Sequence, residues 1–238
     1  MEKAIVEIWG ITLSEPLTFL SDTVLAVFAF VFYFRLKEQG NINTSDIRFN
    51  RFFLFLSIST FFGGLAHLTG MYFSHNYMHV FAWSIMAIAM YNYEAAMASQ
   101  LSKKWYNVVK WSSLTRALLF VVVAVIYQEV GPEPVISRLV GVKGFFITSI
   151  YMAFGFIAVI LPIAFRSFYY GNRTGDGLIM LGIILLSSTL IVRKSELSFS
   201  RHFNYNEISH VILLAVFYVF FLGMRKKISE SQNELEVS

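Results

Sequence analysis

Apolar residues fall in seven runs along the chain, each close to the ~20 residues a helix needs to cross about 30 Å of hydrocarbon. The runs are Pro16 to Leu36, Arg51 to Phe73, Met78 to Ala98, Tyr106 to Tyr127, Gly144 to Phe168, Gly177 to Val192 and Asn204 to Met224. Between them lie polar connectors such as KEQGNINTSDIRFN, SKKW, GPEPVISR, GNRTGD and RKSELSFSRHF, which carry the Gly, Pro, Asn and Asp of turns. The pattern predicts an all-α, polytopic membrane protein, a single seven-transmembrane-helix domain over residues 1–238 with a polar, solvated tail over 225–238. No internal repeat, low-complexity tract or second soluble domain interrupts it. The opening MEKAIVEIWGITLSEP has one Lys against three Glu and no small-residue cleavage site, so the first span is expected to stay in the mature protein.

Composition agrees with a bilayer as solvent. Hydrophobic residues make up 56% of the chain and charged ones 14%, and 25 of the 238 residues are Phe, more apolar surface than one water-soluble core of this size would hide. The net charge of +4 sits in short loops rather than along one stripe, which argues for membrane topology and against nucleic acid. Arg35, Lys37, Arg48, Arg51, Lys103, Lys104, Arg166, Arg173, Arg225, Lys226 and Lys227 fall on one side. Lys3, Arg138, Lys143, Arg193, Lys194 and Arg201 fall on the other. The positive-inside rule then predicts a multi-pass cell-membrane protein with its N-terminus outside and its C-terminus in the cytoplasm. With no cysteine, disulfides, thiolate metal ligands and thiol nucleophiles are excluded.

That topology gathers the histidines on the outer side. His67 lies about two turns from the outer end of the second span, His79 opens the third, and His210 follows the start of the seventh, with His75 and His202 in the outer connectors. Glu15, Thr18 and Asp22 share one face of the first helix. At 1.5 Å per residue, His67, Asp22 and His210 sit roughly 9 Å below their helix ends, a common depth. Ionisable groups there cost about 2.5–3.5 kcal/mol on insertion scales, so they are expected to face a pocket and to pair. His67, His210 and His79 are candidate ligands of a divalent metal such as zinc, through neutral imidazole. Asp22, Glu207 or Glu15 are candidates to orient an imidazole or take a proton. Histidine and asparagine also serve as hydrogen-bonding glue between helices, the plain alternative for His75, His202 and His79.

NEISH at 206–210 invites comparison with the zincin pattern H-E-x-x-H, but its first position is Asn206, a poor zinc ligand better suited to orienting a water or substrate. Further in, Glu94 and Arg116 are expected to pair. Pro162 should kink the fifth helix, Gly63, Gly64 and Gly70 should allow close packing, and Trp83, Trp105 and Trp111 should act as interface anchors. A retinal photoreceptor would need a Schiff-base lysine in the last span, and Asn204 to Met224 has none.

STFFGGLAHLTG, with its deep histidine, and NEISHVI, with a polar residue four before a histidine, resemble the superfamily of seven-helix membrane hydrolases that includes the alkaline ceramidases and the adiponectin-receptor-like proteins. The resemblance implies a zinc ion held by His67 and His210. Gly63 stands where the pattern has a serine, Asn206 where it has a further zinc-binding histidine, and the third helix lacks the pattern's aspartate near Met78 and His79. The third ligand is then His79, Asp22 or Glu207, or the bundle serves another task. Two functions follow: a zinc-dependent hydrolase of a lipid amide or ester, or a non-enzymatic seven-helix transporter or receptor-like protein that uses the same pocket for ligand binding or proton relay.

Overall fold

The computed structural model describes residues 5–40, 43–70, 72, 77–130, 145–171, 173–200 and 203–237. His75 and His202 lie outside these. An antiparallel hairpin opens the described chain, β1 (Ile5–Ile8) pairing with β2 (Ile11–Ser14). Its two turn residues, Trp9 and Gly10, have φ of 52° and 78°, the left-handed turn that matches strand twist.

Among the described residues every element after the hairpin is a helix. The helices are α1 (Pro16–Lys37), α2 (Thr44–Thr69), α3 (Tyr77–Ala98) and α4 (Lys103–Val130). They continue with α5 (Phe145–Ala153), α6 (Leu161–Gly171), α7 (Thr174–Lys194) and α8 (Tyr205–Val237). A π-helical stretch, Phe154–Ile160, joins α5 to α6 without a break. Among the described residues six helical rods are long and apolar enough to cross a membrane: α1, α2, α4, the α5–α6 rod, α7 and α8. The chain is therefore a polytopic α-helical membrane protein. At 22 residues α3 matches α1 in length, about 33 Å. Its inner half is more polar, carrying Asn92, Tyr93 and Glu94, all of which are buried.

Local chemistry shapes the start of α2 and the passage from α5 to α6. Asn43 caps α2 by accepting from Ser45 N–H and Asp46 N–H, while Asp46 accepts from Asn43 N–H. This capping box starts α2 inside a segment that reads as connector. Pro162 follows the π-helical stretch directly, and the wider turns, in which Leu161 N–H reaches Phe156 C=O, accommodate a ring that would otherwise meet the Ala158 carbonyl. The tail expected to be solvated continues α8 as far as Val237.

The helices form a ring in which α1, α2, α3, the α5–α6 rod, α7 and α8 are successive neighbours and α8 closes on α1, with α4 outside against α3. Helices α1 and α8 run parallel and in register. Thr18 meets Glu207, Ser21 meets His210 and Phe32 stacks on Phe221, always 189 residues apart in sequence. The middle of the ring is filled by Phe52, Tyr93, Phe156 and Phe220, with Phe52 and Tyr93 centroids 4.7 Å apart and Phe156 and Phe220 stacked at 5.4 Å. Each such pair adds about 0.5–1.5 kcal/mol beyond its buried area. Beside this plug Glu94 accepts from Arg116 and Ser113, the expected pairing of α3 with α4, and Arg116 also lies over the Tyr151 and Phe154 rings.

Candidate functional site

A cavity of about 690 Å³ opens inside the ring, at the end where α1 and α8 begin. Four helices aim polar groups into it by simple periodicity. On α2, Ser59, Gly63 and His67 are spaced by four; on α3, His79 and Trp83 are; on α8, Asn206 and His210 are, with Ser209 beside them. From α1 come Glu15 and Asp22. Deeper in, Leu56, Met152, Phe156, Ile183 and Phe217 form an apolar end, with Phe217 roughly 10 Å along α8 from His210. The cavity is polar at its outer end and apolar at its inner end.

Both deep histidines are anchored through Nδ1. His67 Nδ1 lies 3.0 Å from Glu15 Oε2. His210 Nδ1 lies 2.6 Å from Ser21 Oγ. The Ser21 hydroxyl also lies 3.0 Å from the Thr18 carbonyl; when it donates there, its oxygen accepts from His210 Nδ1–H and the Nε2 lone pair faces Asp22, and when it donates to Nδ1 instead, Nε2–H points to Asp22. Nε2 of His210 stands 3.4 Å from Asp22 Oδ1, long for a hydrogen bond. In the first tautomer two acceptors face each other, and a proton or a cation between them satisfies both. Asp22 is 6% exposed, so water does not screen the pair freely.

Glu15 reaches His67 at a conformational cost. It caps α1 with φ 49° and ψ 51°, left-handed for a residue that is not glycine and that precedes Pro16. Strain of this kind, of order 1–3 kcal/mol, persists where the surroundings fix the residue, here the hairpin on one side and His67 on the other. The hairpin is itself tied down by Thr12 N–H donating to Tyr72 Oη at 2.8 Å.

Of the residues expected to form a site, the structure brings Glu15, Asp22, His67, His79 and His210 together on this cavity. The His79 ring lies 5.1 Å from that of His67 and 5.5 Å from Trp83, which turns into the cavity instead of anchoring at the membrane surface. Glu207 is beside the cavity but engaged elsewhere: Oε1 accepts from Thr18 Oγ1 at 2.5 Å and Oε2 from Asn204 N–H at 2.8 Å, while Asn204 Oδ1 accepts from Asn206 N–H. Glu207 thus completes a capping box at the start of α8. Sequence reading missed Ser21, although Thr18, Ser21 and Asp22 form one polar stripe at helical spacing. It also left Arg193 as a loop charge, whereas Arg193 lines the cavity and packs over the Tyr205 ring.

The arrangement defines a polytopic membrane protein with a histidine–carboxylate cavity enclosed by its helices. The chain belongs to a family of unknown function, DUF6962, which it matches over residues 17–229, nearly the whole bundle. No curated protein and no solved structure matches it.

Proposed function

We propose that the protein is a membrane-embedded, zinc-dependent hydrolase of a lipid amide or ester, a seven-span cell-membrane protein with its cavity toward the outer face. The observation that carries this reading is the approach of His210 Nε2 to Asp22 Oδ1, 3.4 Å apart in a buried setting. Ligands bound at 2.0–2.1 Å around a tetrahedral zinc are about 3.3 Å from one another, so the spacing suits two neighbouring ligands. Glu15 against His67 Nδ1 and Ser21 against His210 Nδ1 support the reading, because histidines that bind metal through one nitrogen are commonly held by a hydrogen bond at the other. Among the described residues no three His, Asp or Glu groups stand together at metal-binding geometry. A complete site therefore requires rotation of His67 or His79 toward the Asp22–His210 pair.

The donor types fit zinc, with His210, Asp22 and His67 or His79 as its holders. Zinc in such a site supplies Lewis acidity. The chain's own groups do the rest. Asn206 and Ser209 are placed on the rim to hydrogen-bond the polar head of a substrate, and the apolar end accepts an acyl chain. Hydrolysis adds water across the scissile C–N or C–O bond, with hydroxyl to the carbonyl carbon and a proton to the leaving group. The remaining imidazole of His67 and His79 is positioned to carry that proton.

Elemental analysis of purified wild type beside His210→Ala tests the reading. About one zinc per chain, lost in the variant, is expected; no metal in either protein, purified without chelators, would overturn it. A second reading, a transporter or receptor-like protein, draws on the Glu15–His67 and Asp22–His210 pairs, which a proton satisfies as well as a metal does. A pH- or ligand-dependent change in metal-free protein would favour it.

A further inference from the structure

A second cavity, about 370 Å³, lies at the opposite end of the bundle, between the last turns of α1 and the middle of α8. Because these two helices are parallel and in register, each brings the same sequence of side chains to it. Phe28, Phe32 and Arg35 follow one another along α1 at helical spacing, and Tyr218, Phe221 and Arg225 do so along α8. Phe32 stacks on Phe221 at 4.6 Å and meets Tyr218 at 6.2 Å. An aromatic wall exposed to lipid at Phe28, Val31 and Tyr218 therefore ends in two guanidinium groups at one level.

We propose that this groove binds the headgroup of an anionic membrane phospholipid, with Arg35 and Arg225 on the phosphate and an acyl chain along the Phe28–Tyr218 face. Charge is what selects the occupant. Arg225 is exposed and has neither a hydrogen-bond nor an ion-pair partner among the described residues. Arg35 has only Glu38, at 3.3 Å, with side chains 66% and 65% exposed, an exposed pair that a phosphate can displace. Guanidinium groups bind phosphate oxygens bidentately, and basic pockets between helices at the cytoplasmic interface suit anionic headgroups. The Gln39 side-chain oxygen is buried in the same wall without a partner among the described residues, an acceptor for a headgroup hydroxyl. A glycerol headgroup supplies both the phosphate and that hydroxyl.

Native mass spectrometry of the full-length protein in detergent, titrated with phosphatidylglycerol or phosphatidylcholine, reads out the site. Phosphatidylglycerol is expected to bind about tenfold or more tightly than phosphatidylcholine, and Arg35→Gln/Arg225→Gln to abolish that preference, weakening phosphatidylglycerol far more than phosphatidylcholine. Lys103→Gln/Lys104→Gln, which removes charge at the same end of the bundle but away from the groove, should keep the preference. Arg225→Gln alone, at an exposed position, should lower it several-fold and serves if the double variant does not fold. Equal binding of the two lipids, or a preference that survives in the arginine variants, would overturn the proposal. So would full competition by millimolar inorganic phosphate, which would make the occupant a soluble anion.

Discussion

Lys227 Nζ lies 2.8 and 2.7 Å from the two carboxylate oxygens of Asp176, and both side chains are buried between α7 and α8. In the sequence Lys227 is one of three consecutive cations that mark the end of a span. In the fold α8 runs past it, and the ammonium group turns inward because Asp176, in the first turn of α7, offers both oxygens. Removing one member leaves the other buried and uncompensated, at a cost of about 3–5 kcal/mol. Asp176→Ala or Lys227→Met should therefore lower the unfolding temperature in detergent sharply, while the double change to apolar residues of similar size recovers most of the loss. A double variant as unstable as the worse single one would show that the pair is not acting as a unit.

The same crossing depends on two glycines. A Cβ on Gly175 would stand 2.6 Å from Lys227 Cγ and 2.8 Å from the Gly223 carbonyl, and one on Gly223 would stand 3.0 Å from the Gly175 carbonyl. A backbone oxygen cannot rotate aside, so Gly175→Ala and Gly223→Ala should each cost about 1–3 kcal/mol in a thermal or denaturant unfolding assay. Gly63 is the control: nothing lies within 4 Å of its Cβ position, which faces the cavity. Gly63→Ala should leave stability unchanged, whereas Gly63→Phe should fold and block the cavity to any ligand.

The helical membrane class was legible because apolar runs of span length separated by turn residues have few other physical solutions. The polar ends were less so. Asn43 with Asp46, and Asn204 with Glu207, are both N-x-x-acid capping boxes that a closer reading of spacing would have found. Glu207 was instead drawn toward metal chemistry by its place in NEISH. Trp83 and Arg193 misled because residue type predicts an interface anchor or a loop charge on average, while only packing decides which way one side chain turns. Ser21 lay in plain view beside Asp22, but its role exists only through α8, 189 residues on. The meeting of α1, α2 and α8 at one cavity followed from the common depth of Asp22, His67 and His210, whereas which carboxylate faces which imidazole is a property of the ring that no local pattern encodes.

Because Glu207 caps α8 and holds Thr18, its loss should be felt as stability. Glu207→Ala removes the capping contact and leaves a buried Thr18 hydroxyl without its acceptor, for a combined cost of about 1–3 kcal/mol. Glu207→Gln keeps a capping oxygen and should cost less. If the proposed metal site is correct, both variants retain metal at the wild-type ratio once folded. Loss of metal from stable Glu207→Gln would instead put this carboxylate among the ligands.

Glu15 should behave in the opposite way. Its carboxylate fixes the His67 ring through Nδ1 at 3.0 Å, and the left-handed backbone that brings it there is a cost to the fold. Glu15→Gln replaces the carboxylate with a neutral amide, so the ring loses its firm orientation. If the proposed zinc site is correct and His67 is one of its ligands, losing the group that orients the ring typically lowers metal affinity by 10–100-fold. The expected result is a stable protein that loses zinc to a competing chelator at concentrations the wild type survives. Glu15→Gly relieves the strained φ as well as removing the carboxylate, so it should be at least as stable as Glu15→Gln yet equally weak toward zinc. Unchanged affinity in both would mean that Glu15 positions nothing and that its pairing with His67 only locks the hairpin onto the bundle.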